Sequence, residues 1–130
     1  LSNYVDTNLN AAREMFVHPT TVSGLGDAGA HCKFICDASI PTFVLSHYVR
    51  DRKRGEKVPL ELAVWKLSAQ TADLYGLADR GRLLPGKRAD LNVIDLDRVG
   101  LDLPRMHRDM PLGSGRLLQK AHGYKATMVN

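Results

Sequence analysis

The chain has 130 residues, of which 44% are hydrophobic and 25% are charged, and its formal net charge is +4. This length fits one ordinary domain, and no apolar run approaches the roughly 18 residues that a membrane helix needs. The one basic cluster, at 50–57, lies where a predicted helix ends. Cations at that position are typical of helix-dipole pairing, so we expect neither a membrane nor a nucleic-acid partner.

The first elements in chain order lead to a single carboxylate. Residues 8–17 predict a short helix, which the His-Pro dipeptide at 18–19 ends, because the residue before a proline disfavours helical conformation. Residues 20–25 are β-prone and predict one buried strand. This strand leads directly into Gly26 and Asp27. Asp27 would therefore stand at the carboxyl end of a strand, where barrels and open sheets keep their active sites.

The rest of the chain changes from helical to β character. Residues 41–54 and 59–75 predict two helices from their apolar spacing and flanking proline and glycine residues. Residues 88–97 predict a strand, and residues 116–130 predict a hairpin that turns at 122–123. Helices followed by strands indicate an α+β fold.

Two cysteines and the chain ends give weaker indications. Cys32 and Cys36 make no disulfide framework, and free thiols are typical of a reducing compartment. The first ten residues do not resemble a secretory leader, so we expect a cytoplasmic location. Because the chain begins without methionine and ends inside a predicted strand, we expect a piece of a longer protein.

Three stretches carry a resemblance to a known family. They are HPTTVSGLGDAGAH at 18–31, PLELAVWKLSAQTADLYGLADRGRLLPGKRADLNVIDLD at 59–97 and RDMPLGSGRLLQKAHGYKATMVN at 108–130. Together they resemble the C-terminal part of the N-acyl-D-amino-acid deacylases (D-aminoacylases) of the amidohydrolase superfamily. The pattern GxLxPGxxADLxVxD at 81–95 is typical of the superfamily, whereas GDAGAH followed by DASIPTFVLSH indicates the deacylase branch.

The resemblance implies an architecture and an activity. It implies a (β/α)8 barrel with a small β-sandwich and one or two zinc ions at the barrel mouth. Residues 1–76 would be the last strand and helices of the barrel, and residues 77–130 would belong to the sandwich. The whole protein would be a hydrolase of carbon–nitrogen bonds other than peptide bonds. Its substrate would be an N-acyl-D-amino acid, cleaved to a carboxylate and a free D-amino acid.

The resemblance also implies roles for individual residues. Asp27 would take a proton from metal-bound water and pass it to the departing amide nitrogen, and in some relatives it also touches the metal. From the residues themselves, the small neighbours Gly26, Ala28, Gly29 and Ala30 would let substrate and metal come close, and His31 would either line the pocket or serve a structural purpose. From the residues alone, Asp27 could instead cap the following segment, since aspartate is a favoured N-cap. The two roles of Asp27 are compatible.

The chain departs from the family pattern in its metal ligands. Full enzymes of this type carry a His-x-His pair on an early strand, and this chain has none. Since a catalytic zinc needs about three protein ligands, we expect the chain alone to be inactive and to hold no catalytic metal. Its activity would require the remainder of the barrel.

Two other interpretations remain open. One is a hydrolase of cyclic amides or ureides, like the dihydroorotase and hydantoinase relatives. The other is a non-catalytic assembly module that self-associates through uncovered apolar surface.

Overall fold

The computed structural model describes residues 8–24, 26 and 31–130. The helical elements are α1 (Asn10–Val17), a 3₁₀ turn (Asp37–Ser39), α2 (Ile40–Phe43), which continues as a π-helix (Val44–Asp51), α3 (Leu60–Leu67) and α4 (Ala69–Leu74). The later elements are β1 (Leu91–Ile94), β2 (Gly100–Leu101), β3 (Arg105–His107), a 3₁₀ turn (Pro111–Gly113), β4 (Arg116–Leu118), β5 (Ala121–His122) and β6 (Tyr124–Met128). In the described residues the α-helices precede the strands, and none of these helices is long and apolar enough to span a bilayer.

The buried core lies among the helices. Val44 and Tyr48 of the π-helix pack with Val58 and with Ala63 of α3. Side chains of α1 cover this cluster, and its Phe16 ring stacks on Tyr48 with 6.3 Å between ring centroids. Burying a large apolar side chain contributes about 1.5–3 kcal/mol, so this cluster fixes α1 and α3 against the π-helix.

Two of the predicted helix boundaries differ from the structure. α1 ends at Val17 with His18 extended (ψ 137°), as the His-Pro dipeptide predicts. The helix predicted over 41–54 instead ends at Asp51. The single helix predicted over 59–75 is wrong, because the chain breaks at Ser68 (φ −133°, ψ −77°) between α3 and α4. The Ser68 hydroxyl donates to the carbonyl of Val64 at 2.6 Å, a side-chain bond that competes with regular helix geometry.

The strand predicted over 20–25 does not form in the part of it that the structure describes. Residues 20–24 pair with no other strand among the described residues. The backbone groups of a strand need hydrogen-bond partners on a neighbouring strand. Here the side chains of Lys66 in α3 and Thr71 in α4 bond the carbonyls of this segment. Residue 25 lies outside the described residues.

The strands form three two-stranded sheets that follow one another along two chain segments, here called the ribbon. β1 pairs with β6, β2 with β5 and β3 with β4, all antiparallel. Because the pairs are nested, the segment 91–107 runs antiparallel to the segment 116–128, and residues 108–115 connect the two. β1 lies inside the strand predicted over 88–97, which is confirmed, whereas the hairpin predicted over 116–130 is wrong. Gly123 has the positive φ, 87°, that the predicted turn would need. It does not close a hairpin, and its backbone lies against Val99.

Specific hydrogen bonds join the helices to the ribbon. The Arg50 guanidinium donates to the carbonyls of Leu96 and Val99, both at 2.7 Å. The hydroxyls of Thr42 and Tyr124 are 2.8 Å apart. These contacts place the ribbon against the helical run that follows the predicted site. The division of the chain at residue 76 stays a prediction.

Candidate functional site

The central residue of the predicted site, Asp27, lies outside the described residues, as does Gly29. The structure does describe the chain on both sides of them, including Gly26 and His31. The arrangement of these flanking segments determines how the carboxylate can be held.

A buried lysine anchors the segment before the predicted site. Lys66 of α3 is 1% exposed, and its ammonium donates to the carbonyls of His18 at 2.9 Å and Thr21 at 2.7 Å. It also approaches the Gln70 side-chain oxygen at 3.4 Å, and it lies 5.8 Å from the centroid of the Phe16 ring. Burial lowers the pKa of this ammonium. The hydrogen bonds from Lys66 to these backbone carbonyls hold residues 18–21 against α3.

A second set of bonds continues this attachment toward Gly26. The Ser23 hydroxyl donates to the carbonyl of Lys66 at 2.8 Å, and the Thr71 hydroxyl donates to the carbonyl of Ser23 at 3.1 Å. Gln70 donates to the carbonyl of Thr21 at 3.3 Å. The chain is thus fixed to α3 and α4 up to three residues before Gly26.

Gly26 itself is needed for a close backbone contact. A Cβ atom at this position would lie 2.8 Å from the carbonyl oxygen of Asp37 and 3.0 Å from its carbonyl carbon. Only glycine fits this approach without moving the backbone. The role of Gly26 in making room for substrate stays a prediction, and the structure adds a packing reason for the glycine.

The segment after the predicted site is anchored to the ribbon. The carbonyl of His31 accepts from the backbone amides of Phe34 at 2.9 Å and Ile35 at 3.1 Å, which forms a turn. The carbonyl of Cys32 then accepts from the amide of Leu117 at 2.7 Å. His31 is exposed, and its role as a pocket residue stays a prediction.

The described residues do not provide a metal site. No group of three or more His, Cys, Asp or Glu side chains in this part of the chain could hold a metal ion. Cys32 and Cys36 are free thiols, as the sequence predicts. The His18 ring bonds the hydroxyl of Thr20 at 2.8 Å, and the His47 ring stacks on an aromatic neighbour. The described residues therefore do not fit the zinc ion that the resemblance implies.

Lys66 is the supporting residue that the sequence predictions missed. It lies three residues after Ala63 and three before Ala69, and both alanines are buried. Its spacing from these two alanines could have indicated that Lys66 faces the core. The spacing alone is a weak indication, because lysine is almost never fully buried unless it is paired. Its partners are backbone carbonyls, which no side-chain pattern identifies.

Comparison with known proteins gives the family. The model of the amidohydrolase family matches residues 4–130. The chain is 38% identical over 100 residues to an N-acyl-D-glutamate deacylase of Alcaligenes xylosoxydans xylosoxydans, covering 74% of this chain and 19% of that protein. It is 52% identical over 52 residues to a D-aminoacylase of the same organism, covering 40% of this chain and 10% of that protein.

A third relative is named for a different activity. An adenine deaminase of Brucella abortus (strain 2308) is 35% identical over 78 residues, covering 59% of this chain and 12% of that protein. No solved structure matches the chain. The match thus spans less than a fifth of the length of each of these curated relatives. The two deacylases confirm the resemblance to the D-aminoacylase branch, and the chain belongs to the amidohydrolase family.

Proposed function

We propose that the chain is the C-terminal part of an amidohydrolase that cleaves N-acyl-D-amino acids into a carboxylate and a free D-amino acid. The observation that carries this proposal is the similarity to the N-acyl-D-glutamate deacylase, which extends over 74% of the chain. The higher identity to a D-aminoacylase, 52% over a shorter stretch, supports the same substrate class.

The proposed role of Asp27 is proton transfer. In amide hydrolysis the oxygen of water attacks the acyl carbon, the C–N bond breaks, and a proton from the water ends on the departing nitrogen. A carboxylate can accept that proton and deliver it to the nitrogen. The attachment of residues 18–23 to α3 and α4 supports this role, because a proton carrier must be held within hydrogen-bond reach of the reacting atoms.

Zinc is part of the proposal for the whole protein. A bound zinc ion would supply hydroxide at neutral pH by lowering the pKa of water. Since the described residues contain no group of three ligands, the ligands would have to come largely from outside them. We therefore propose that the 130-residue chain by itself is inactive.

The proposed architecture follows the family. Residues 1–76 would complete a (β/α)8 barrel, and residues 77–130 would contribute to a β-sandwich. Exposed apolar side chains support a need for further protein on the helical side, since Leu74 is 63% exposed and Tyr75 is 73% exposed. We propose that the remainder of the barrel covers them, and self-association of the isolated chain would be the alternative.

A second candidate is hydrolytic deamination of a purine. The similarity to adenine deaminase, 35% over 78 residues, favours it. Its leaving group would be ammonia instead of an amino acid, so the two candidates differ in the product that is released. Hydrolysis of a cyclic amide or ureide would give a third outcome, a ring-opened product without a leaving fragment.

The test uses the whole reading frame that contains this chain. The purified protein is incubated with N-acetyl-D-glutamate, N-acetyl-L-glutamate or adenine, and free amino acid and ammonia are measured. We expect free D-glutamate, and an Asp27→Asn variant should lose activity by about 100-fold or more. An Asp73→Asn variant is the matched control, because Asp73 lies in an exposed ion pair with Arg82. Ammonia from adenine alone, or full activity of Asp27→Asn, would contradict the proposal.

A further inference from the structure

A small cavity with an unusual lining lies between α1 and the end of the π-helix. Its volume is about 120 Å³. Its lining residues are Asn8, Leu9, Asn10, His47, Arg52 and Arg54. None of them is acidic, and none belongs to the segment 18–31 that carries the proposed hydrolytic site. The lining thus brings together two arginines, one histidine and two asparagines.

Arg52 is buried, and no opposite charge pairs with it in the described part of the chain. The residue is 5% exposed, and none of the ion pairs among the described residues includes it. One terminal nitrogen donates to the side-chain oxygen of Asn10, whereas the Nε atom has no hydrogen-bond partner. The guanidinium carbon lies 5.5 Å from the centroid of the Tyr48 ring. Arginine stays protonated, and this buried guanidinium has no counter-charge among the residues that the structure describes.

The fold builds this arrangement from distant parts of the chain. The amide of Arg52 bonds the carbonyl of His47 at 2.8 Å and ends the π-helix, after which Arg52 is extended (ψ 124°). Gly55 follows with a φ of 78°. A Cβ atom there would lie 3.0 Å from the Asn10 oxygen and 3.1 Å from the Arg52 nitrogen. Gly55 therefore lets the turn close over the Arg52–Asn10 pair.

The imidazole does not add a third permanent charge. Burial, together with the positive charge of Arg52, lowers the pKa of His47, and the charge of Asp51 opposes that shift. The ring stacks on Phe43 with 4.9 Å between ring centroids. At neutral pH the cavity thus combines two guanidinium charges with neutral hydrogen-bonding groups.

We propose that this cavity binds one small oxyanion, such as phosphate or a short carboxylate. Guanidinium donors match the geometry of oxyanions, and Asn8 and Asn10 add uncharged amide donors. The cavity has room for several water molecules, and therefore for an anion of about five heavy atoms. The proposal does not depend on the proposed hydrolytic activity.

The test is a titration of the ¹⁵N-labelled chain with sodium phosphate at neutral pH and constant ionic strength, followed by NMR. We expect saturable shifts of the amides at 8–10 and 47–55 and of the Arg52 side-chain N–H. A parallel titration with sodium acetate distinguishes a tetrahedral dianion from a planar monoanion. Arg52→Met should abolish binding, but this buried residue also packs on Tyr48, so its loss could unfold the chain.

The deciding comparison therefore uses two arginines that are less buried than Arg52. Arg54→Met removes a cation from the cavity lining and should weaken phosphate binding by about tenfold. Arg82→Met removes one positive charge from an exposed ion pair with Asp73 and should leave binding unchanged. Equal weakening in both variants would mean an adventitious ion only. The absence of saturable shifts would also overturn the proposal. A carboxylate of the protein that already occupies the cavity would give that result.

Discussion

Replacing Lys66 by methionine tests whether the buried ammonium holds the segment that leads to Asp27. Methionine fills a similar volume, so the change removes the bonds to the carbonyls of His18 and Thr21 without opening a cavity. Each carbonyl keeps a second donor, at 3.1 Å from the Thr21 amide and at 3.3 Å from Gln70. Hydrogen bonds to charged groups contribute about 1.5–3 kcal/mol each, and relief of the ammonium's desolvation offsets part of that loss. We expect the free energy of unfolding to fall by about 2 kcal/mol.

The assay is urea unfolding of the chain followed by far-ultraviolet circular dichroism. The matched control is Lys87→Met, which removes a single bond to the carbonyl of Ala78 at 2.8 Å in an exposed setting. That control should change the free energy of unfolding by less than about 0.5 kcal/mol. If Lys66→Met is as stable as the original chain, the desolvation cost exceeds the contribution of the carbonyl bonds, and the anchoring argument fails.

The same pair of proteins has a predictable pH dependence. Burial lowers the pKa of Lys66 below its ordinary value of 10.5. Between the lowered pKa and the ordinary one, the unfolded chain binds more protons than the folded chain. The free energy of unfolding of the original chain, relative to Lys66→Met, should therefore rise with pH in that window and stay constant below it. A relative stability that falls as the pH rises toward 10.5 would contradict this sign.

Two further predictions test the ribbon. Gly123→Ala would place a Cβ atom 2.4 Å from the Val99 Cα at a φ of 87°, whereas Gly86 has a φ of 85° with nothing within 4 Å. We expect Gly86→Ala to cost about 1 kcal/mol and Gly123→Ala about 3 kcal/mol or more in urea unfolding; equal losses would contradict the close contact. The hydrogen bond from Arg116 lowers the pKa of Asp109 to about 2, so its stabilising effect is present above the ordinary pKa of 3.8 and is lost as the pH falls through about 2. Arg116→Met should raise the pKa of Asp109 toward 3.8 in an NMR titration, and an unchanged value would show that the pair does not form in solution.

Local features of the fold were predictable from the sequence. The end of α1 follows from the steric effect of proline on His18, which needs no information about the rest of the chain. β1 at Leu91–Ile94 lies in a run of β-prone residues bounded by polar ones. In both cases the relevant physics acts within a few residues, so a sequence pattern is sufficient.

Long-range pairing was not predictable in the same way. Gly123 has the positive φ that a tight turn would require, yet it meets Val99 across the ribbon. The sequence contains the glycine but not the identity of the backbone that approaches it. Residues 20–24 have strand-forming side chains, but their carbonyls bond Lys66 and Thr71 instead of a neighbouring strand. Side-chain propensity permits a strand in this segment, but whether a strand forms depends on a neighbouring strand being available to pair with it.

The two buried cations show why supporting residues are harder to find than motif residues. Asp27 stands in a short motif whose spacing is visible in the sequence, whereas Lys66 and Arg52 are defined by what surrounds them. Lys66 is surrounded by carbonyls that accept from its ammonium, so its charge holds the chain in place. Among the described residues, Arg52 has one amide oxygen and a ring face as partners, and it lines a cavity. Burial is nearly the same for both residues, so the difference in their partners is the reason for giving the lysine a structural role and for proposing an anion site at the arginine.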